Sequence, residues 1–279
     1  LGAGHPHTLI SITNLGRDLR ETGQYEPSIS MLSSSYEAYK QLFGDMYPET
    51  LRNAKSLAVS LRKAGRVDEA RALTHQTREH YRVRDTPASI PDVLDCNLNY
   101  ATDLYATGAR EEALSLTREI VRQYRTAPGE RHPATLAAVN NLGIFLRGSG
   151  EVSRARALLE KNFDTLRDAL GDRHPYTLAC AVNLANVLAE LHELRQAEEL
   201  ERLAVAGFQP TLGHEHPDTI VSRANLGVTL RSLGRIPEAD QLQESSHAEF
   251  ARMLGENHPH TVSVREGKRI HRDLEPPAV

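Results

Sequence analysis

The 279-residue chain has no tryptophan, only two cysteines and three methionines, and aromatic residues make up just 5% of it. So few ring faces argue against a platform on which nucleic-acid bases stack. Thirty-three basic residues stand against 37 acidic ones, a net charge of −4, so the strongly basic face of a general nucleic-acid binder is missing as well. No apolar run approaches the roughly 20 residues that a membrane-spanning helix needs. No signal peptide is visible at this N-terminus, and with Leu1 in place of a start methionine the chain is expected to be a piece of a longer one. There is no G-x-S-x-G, no Gly-rich phosphate loop and no H-E-x-x-H, so neither an enzymatic activity nor a cofactor is expected.

What the chain does have is a period. Prolines recur at Pro6, Pro48, Pro91, Pro133, Pro175, Pro217 and Pro259, in steps of 42 or 43 residues. In the same register stand the triplets Asn14-Leu15-Gly16, Ser56-Leu57-Ala58, Asn99-Tyr100-Ala101, Asn141-Leu142-Gly143, Asn183-Leu184-Ala185 and Asn225-Leu226-Gly227. Turn glycines follow at Gly23, Gly65, Gly108, Gly150 and Gly234, with His192 in the remaining slot, and five residues after each turn comes Ser28, Ala70, Ala113, Ala155, Ala197 or Ala239. An internal repeat of this length is the mark of an array in which each unit stacks only on its neighbours.

Within a unit the apolar spacing is helical. Leu136, Val139, Leu142, Gly143 and Leu146 fall on one face, and after Gly150 a second run carries Val152, Ala155, Leu158, Leu159, Phe163 and Leu166. Each unit therefore reads as two antiparallel helices, with the proline in the first turn of the first helix, where its missing N–H costs nothing. The column Gly16, Ala58, Ala101, Gly143, Ala185 and Gly227 lets the paired helix come close, and because alanine already occupies it three times, Gly143→Ala is expected to be nearly neutral. The expected fold is all-α, a right-handed solenoid of repeats over 5–46, 47–89, 90–131, 132–173, 174–215 and 216–257, then a polar capping helix over 258–274 and a tail over 275–279 that Pro276-Pro277 keeps from being helical. Cys96 and Cys180 share one column two repeats apart. Helices stack roughly 8–10 Å apart, which puts the pair beyond the about 7 Å limit for a disulfide. Both are expected to be core residues in a reducing, cytoplasmic setting.

Leu-Gly in the first helix, the turn glycine and the later alanine resemble the tetratricopeptide repeat in a 42-residue form. The lead-in Gly213-His214-Glu215-His216-Pro217-Asp218-Thr219-Ile220 is similar to the kinesin-light-chain type. The phrases "NLGRDLRETGQY" and "SLAVSLRKAGRVDEA" also resemble repeats of large actinobacterial proteins, which often join such arrays to a STAND (NB-ARC) signalling ATPase. The resemblance runs from residue 4 to about 262. It implies a bacterial protein- or peptide-binding module whose concave groove takes extended segments, attached to other domains of a longer parent, with no nucleic acid or membrane as partner.

When Asn-Leu-Gly is placed at positions six to eight of the first helix, positions one, four, seven, eight and eleven form the packing face, and two, six, nine and twelve form a separate stripe. In the family that second stripe resembles the groove lining. Position six is Asn14, Ser56, Asn99, Asn141, Asn183 and Asn225. An amide carries both donors and an acceptor, so the column is suited to gripping a peptide backbone; bonding to the neighbouring repeat would use the same atoms, and the two roles are compatible. Position twelve is Arg20, Arg62, Tyr105, Arg147, Ala189 and Arg231, with Arg17, Arg52, Lys55 and Lys63 close to the first two rungs and Asn186 on the stripe of the fifth unit. Guanidinium suits carboxylate or phosphate, so the expected ligand is an acidic segment bound through Asn14, Asn99, Asn141, Asn183, Asn225, Arg17, Arg20, Arg52, Lys55, Arg62, Tyr105, Arg147, Asn186 and Arg231. Pairing of those arginines with the array's own acids, and self-association with an unoccupied groove, are the alternatives.

The H-x-H pairs His5/His7, His214/His216 and His258/His260 lie at separate turns. Zinc needs about four converging ligands, so these histidines are expected to serve turns and helix ends, with no metal. One connection departs from the rhythm: "VRDTPASIPDVLD", residues 83–95, holds the inserted residue and lacks the G-x-x-H-P-x-T lead-in.

Overall fold

A computed structural model describes residues 5–83 and 90–277, so most of the irregular connection after Val83 lies outside the described residues. Among those described there are thirteen helices and no strand: α1 Pro6–Glu21, α2 Tyr25–Phe43, α3 Pro48–Lys63, α4 Val67–Val83, α5 Ile90–Ala106, α6 Arg110–Thr126, α7 Pro133–Gly148, α8 Val152–Leu170, α9 Pro175–Glu190, α10 Leu194–Leu212, α11 Pro217–Ser232, α12 Ile236–Leu254 and α13 Pro259–Arg265. The chain forms two compact units that divide within α6, between Leu116 and Thr117. In the first, each helix from α1 to α4 packs on the next in sequence, and α3 also touches both α1 and α5. In the second, each helix from α7 to α12 packs on the next, and α9 touches both α7 and α11.

The recurring lead-in is a built turn. His5, His132, His174, His216 and His258 are the N-caps of their helices. In each, Nδ1 accepts the backbone N–H two residues on, at 3.1–3.3 Å, and so satisfies one of the orphan donors of the first turn. Proline then occupies N1. The threonine of the motif closes the turn from the other side: Thr135, Thr177 and Thr219 donate their hydroxyls to the carbonyls of Gly129, Gly171 and Gly213 at 2.7–2.8 Å. These glycines have φ of +94° to +117°, a region that side chains disfavour. Burial depresses the His174 pKa, which favours the neutral ring that capping requires. Cys96 and Cys180 are free, buried thiols whose pKa is pushed up to about 12 by burial, so neither is a ready nucleophile.

His192 takes the left-handed turn slot at φ +62°. The small column behaves differently from the expectation of a neutral alanine. A Cβ on Gly143 would lie 2.5 Å from Cγ and Cδ2 of Leu159, and one on Gly16 would lie 2.8 Å from Cγ of Leu32. Both leucines are fully buried. The residue sixteen positions after the column explains the choice: glycine precedes Leu32, Leu159 and Gln243, whereas alanine precedes Thr74, Thr117 and Glu201. The glycines are matched to bulky partners, not interchangeable with the alanines.

The last helix is shorter than the expected cap over 258–274. It ends at Arg265, Gly267 turns the chain at φ +63°, and residues 268–277 carry no helix. Gly143→Ala should lower stability by about 1–3 kcal/mol, the range for overpacking a filled core; urea unfolding should show a lower midpoint, and adding Gly143→Ala to Leu159→Ala should cost much less than it costs in the unaltered chain. An unchanged midpoint for the single variant would mean that the α7–α8 contact is looser than described.

Candidate functional site: the asparagine column of the second unit

In the second unit the first helices α7, α9 and α11 lie side by side and are buried around almost their whole circumference. An amphipathic helix buries one stripe. Beside the neighbouring helices, part of the cover comes from residues 268–275, which run across all three.

The contact is to backbone. Asn225 Nδ2 donates to the Ile270 carbonyl at 2.8 Å while its Oδ1 accepts the Ile270 N–H at 2.9 Å. Asn183 holds Arg272 in the same way at 2.8 and 2.9 Å, and Asn141 holds Leu274 at 2.8 and 2.8 Å. Each repeat thus grips the N–H and C=O of one residue, in steps of two, as an extended chain presents them. A second amide supports the first: Asn186 Nδ2 donates to the Ile270 carbonyl at 2.9 Å and Asn140 Nδ2 to the Arg272 carbonyl at 3.0 Å. The amides also bond one another across repeats, Asn183 to Asn140 Oδ1 at 2.9 Å and Asn225 to Asn186 Oδ1 at 3.2 Å, so stack-fixing and backbone capture coexist in this column. Tyr176 donates its hydroxyl to the Glu275 carbonyl. The next residue in the two-step register is Pro276, which has no N–H to offer.

Side chains of the segment are also received. Ile270 and Leu274 are buried in one cluster with Leu178, Val182, Val221 and Phe250. Arg269 meets Glu201 of α10 at 2.5 Å and Asn186 Oδ1 at 3.1 Å, and also donates to Thr229. Glu201 is 0% exposed. Burial pushes its carboxyl above the usual carboxylate range, and Arg269 offsets this only in part. Arg272 pairs with Asp218 in the first turn of α11.

The structure treats the arginine column otherwise. Arg62 is held at 2.7 Å by the fully buried Asp103, and Arg20 by Glu21 at 2.9 Å, with a further bond to the Ser56 carbonyl. Arg52 and Lys55 sit on Asp92 and Asp95 of α5, at 2.9 and 3.1 Å. Arg147 pairs with Glu190 at 3.2 Å, and Arg231 with Asp240. No hydrogen bond or ion pair from Arg147 or Arg231 to the seated segment occurs among the described residues. Asn14 is exposed, Arg17 half-buried and Asn99 buried; Tyr105 lies under the Arg110 guanidinium at 6.0 Å. No group of three or more His, Cys, Asp or Glu able to hold a metal occurs among the described residues, and no described helix is long and apolar enough to cross a membrane.

Sequence reasoning missed Asn140, Tyr176, Glu201, Asp218 and Thr229. For Glu201 a signal existed: it is the one charged residue in a column otherwise made of Leu32, Thr74, Thr117, Leu159 and Gln243.

Models of the tetratricopeptide repeat match residues 7–82 and 136–209, more than half of the chain, and residues 219–260. The chain belongs to the tetratricopeptide repeat family. Among solved structures, the nearly identical repeats of a Podosopora anserina protein described as a kinesin light chain share 28% identity with a TM-score of 0.55, covering 74% of this chain and 97% of that one. BtubC (BKLC) from P. vanneervenii shares the fold at 18% identity and a TM-score of 0.61, covering 84% and 94%. NprR in complex with its cognate peptide NprX shares it at 15% identity and a TM-score of 0.66, covering 89% and 67%. No curated protein matches the chain.

Removing two clamps from this tetratricopeptide array should release its end. Losing the paired bonds of Asn141 and Asn183 costs about 1–3 kcal/mol for each group left unmet, so Asn141→Ala with Asn183→Ala should speed tryptic cleavage after Arg269 and Arg272 by about tenfold or more. Cleavage at an unchanged rate, with the array still helical, would mean that these bonds do not hold the segment.

Proposed function

We propose that the second unit is a peptide-binding groove that captures an extended segment by its backbone, with the asparagine column as the clamp and no covalent chemistry. One observation carries this reading: three asparagines in successive repeats each pair with both the N–H and the C=O of alternate residues of one chain segment. The peptide complex of NprR, a protein of the same fold, is in keeping with it. Such pairing is indifferent to the side chains of the segment, so it serves any extended peptide whose side chains suit the walls. An acidic preference, expected from the arginine column, loses its motive, because those arginines are engaged by acids of the array itself. A role as the sensor of a larger signalling protein rests on the sequence resemblance alone.

A second reading is favoured by the burial of Ile270 and Leu274: the segment is a permanent internal strand that completes the core.

Exchange separates the two. A labelled decapeptide copying residues 267–276 should bind the full chain carrying Ile270→Asp and Leu274→Asp about tenfold or more tightly than it binds the unaltered chain, which must first release its own end. Adding Asn141→Ala and Asn183→Ala should abolish the gain. Fluorescence anisotropy reads both, with circular dichroism as the check on folding. Binding that ignores the asparagines would overturn the groove; a folded, loosened chain that takes up no peptide would favour the permanent strand.

A further inference from the structure

Resting on that groove, we infer its specificity: the ligand is an extended cationic segment of another protein that carries arginine–aliphatic–x–arginine–x–aliphatic, and the chain's own end is a built-in competitor of the same chemistry. The walls read the pattern. Glu201 is wholly buried on a second helix, where the other repeats place an uncharged side chain, and its partner is the Arg269 guanidinium. A carboxylate at this depth is tolerated because a cation meets it, and a segment without one would leave an uncompensated buried charge. Arg269 reaches three acceptors at once, on Glu201, Thr229 and Asn186. A planar fork of donors can do this, while a lysine ammonium on the same path cannot match the geometry. Three residues on, Asp218 receives Arg272, both largely shielded in the groove wall. The apolar floor takes the residues at the second and sixth places, Ile270 and Leu274.

An acidic residue at either arginine place would face a carboxylate across a poorly hydrated wall, so the groove rejects acidic peptides by repulsion as well as accepting basic ones by pairing. An occupant in trans is given room by the hinge at Glu266, Gly267 and Lys268, which is exposed, so that the seated segment can swing out while α13 stays packed on α12.

The test uses the full chain with Ile270→Asp and Leu274→Asp and a set of labelled decapeptides: the sequence of residues 267–276, the same with both arginine places changed to glutamate, with the first arginine changed to alanine or lysine, and with both aliphatic places changed to serine. The unaltered sequence should bind most tightly, the glutamate version about a hundredfold more weakly and the others about tenfold more weakly, as expected when a buried charge is left unpaired or faces its like. In Glu201→Gln the preference for arginine over alanine at the first place should fall to less than about threefold, while dependence on Asn141 and Asn183 persists. Glutamate and arginine versions binding alike would overturn the specificity and leave the backbone clamp standing. Binding of every peptide without regard to the asparagines would overturn the clamp itself. If the loosened chain loses its helical signal, the same peptides are compared as competitors that expose the end of the unaltered chain to trypsin: equal competition by the glutamate and arginine versions overturns the specificity, and competition that ignores the asparagines overturns the clamp. Tail-exchanged dimers that form while no free peptide binds would also overturn the inference, since the occupant would then be a second copy.

Discussion

A primary amide carries its donor and its acceptor side by side on separate atoms, so one uncharged side chain can donate to the carbonyl and accept from the N–H of the same residue. The second unit depends on that property. Asn141, Asn183 and Asn225 each present it toward the same side, one per repeat, and the chain segment that meets them has every second residue fully paired. Backbone polar groups removed from water without partners are costly. The clamp therefore decides whether anything extended can lie on α7, α9 and α11 at all, and the walls decide which side chains go with it.

Everything else in the repeat serves to present those amides at equal intervals. The histidine cap, the proline at N1 and the threonine bonded to the preceding glycine carbonyl start α7, α9 and α11 in the same way. The small column sets the distance to the second helix, and its two versions are tuned to the residue sixteen places later, leucine or glutamine against glycine and threonine or glutamate against alanine. Glu201 connects the two layers of function and packing. It stands in a position that elsewhere fills the core, yet it points its charge at an arginine of the seated segment. A buried charge in such a column is expensive, and here the Arg269 guanidinium meets it.

The helix pairs were legible in the sequence because repetition multiplies a weak signal: a proline, a small residue and a turn glycine recur at one spacing, and each has a local physical reason. The asparagine column was legible on the same ground. The end of the chain was not. Residues 268–275 have no counterpart in other repeats, and their polar composition reads as a solvated cap, although the alternation of Ile270, Arg272 and Leu274 carries the two-residue period of an extended chain. The arginine column misled because charge type can be read from sequence while partners cannot. Asp92, Asp95, Asp103 and Glu190 come from the following repeat, about 40 residues away.

The central claim is that each asparagine holds one particular residue, and residue-resolved amide hydrogen exchange addresses it. In the unaltered protein the amides of Ile270, Arg272 and Leu274 should all exchange far more slowly than in a free chain, with Asn225→Ala accelerating Ile270 most, Asn183→Ala Arg272 and Asn141→Ala Leu274. Exchange of these three amides at free-chain rates in the unaltered protein would contradict the account.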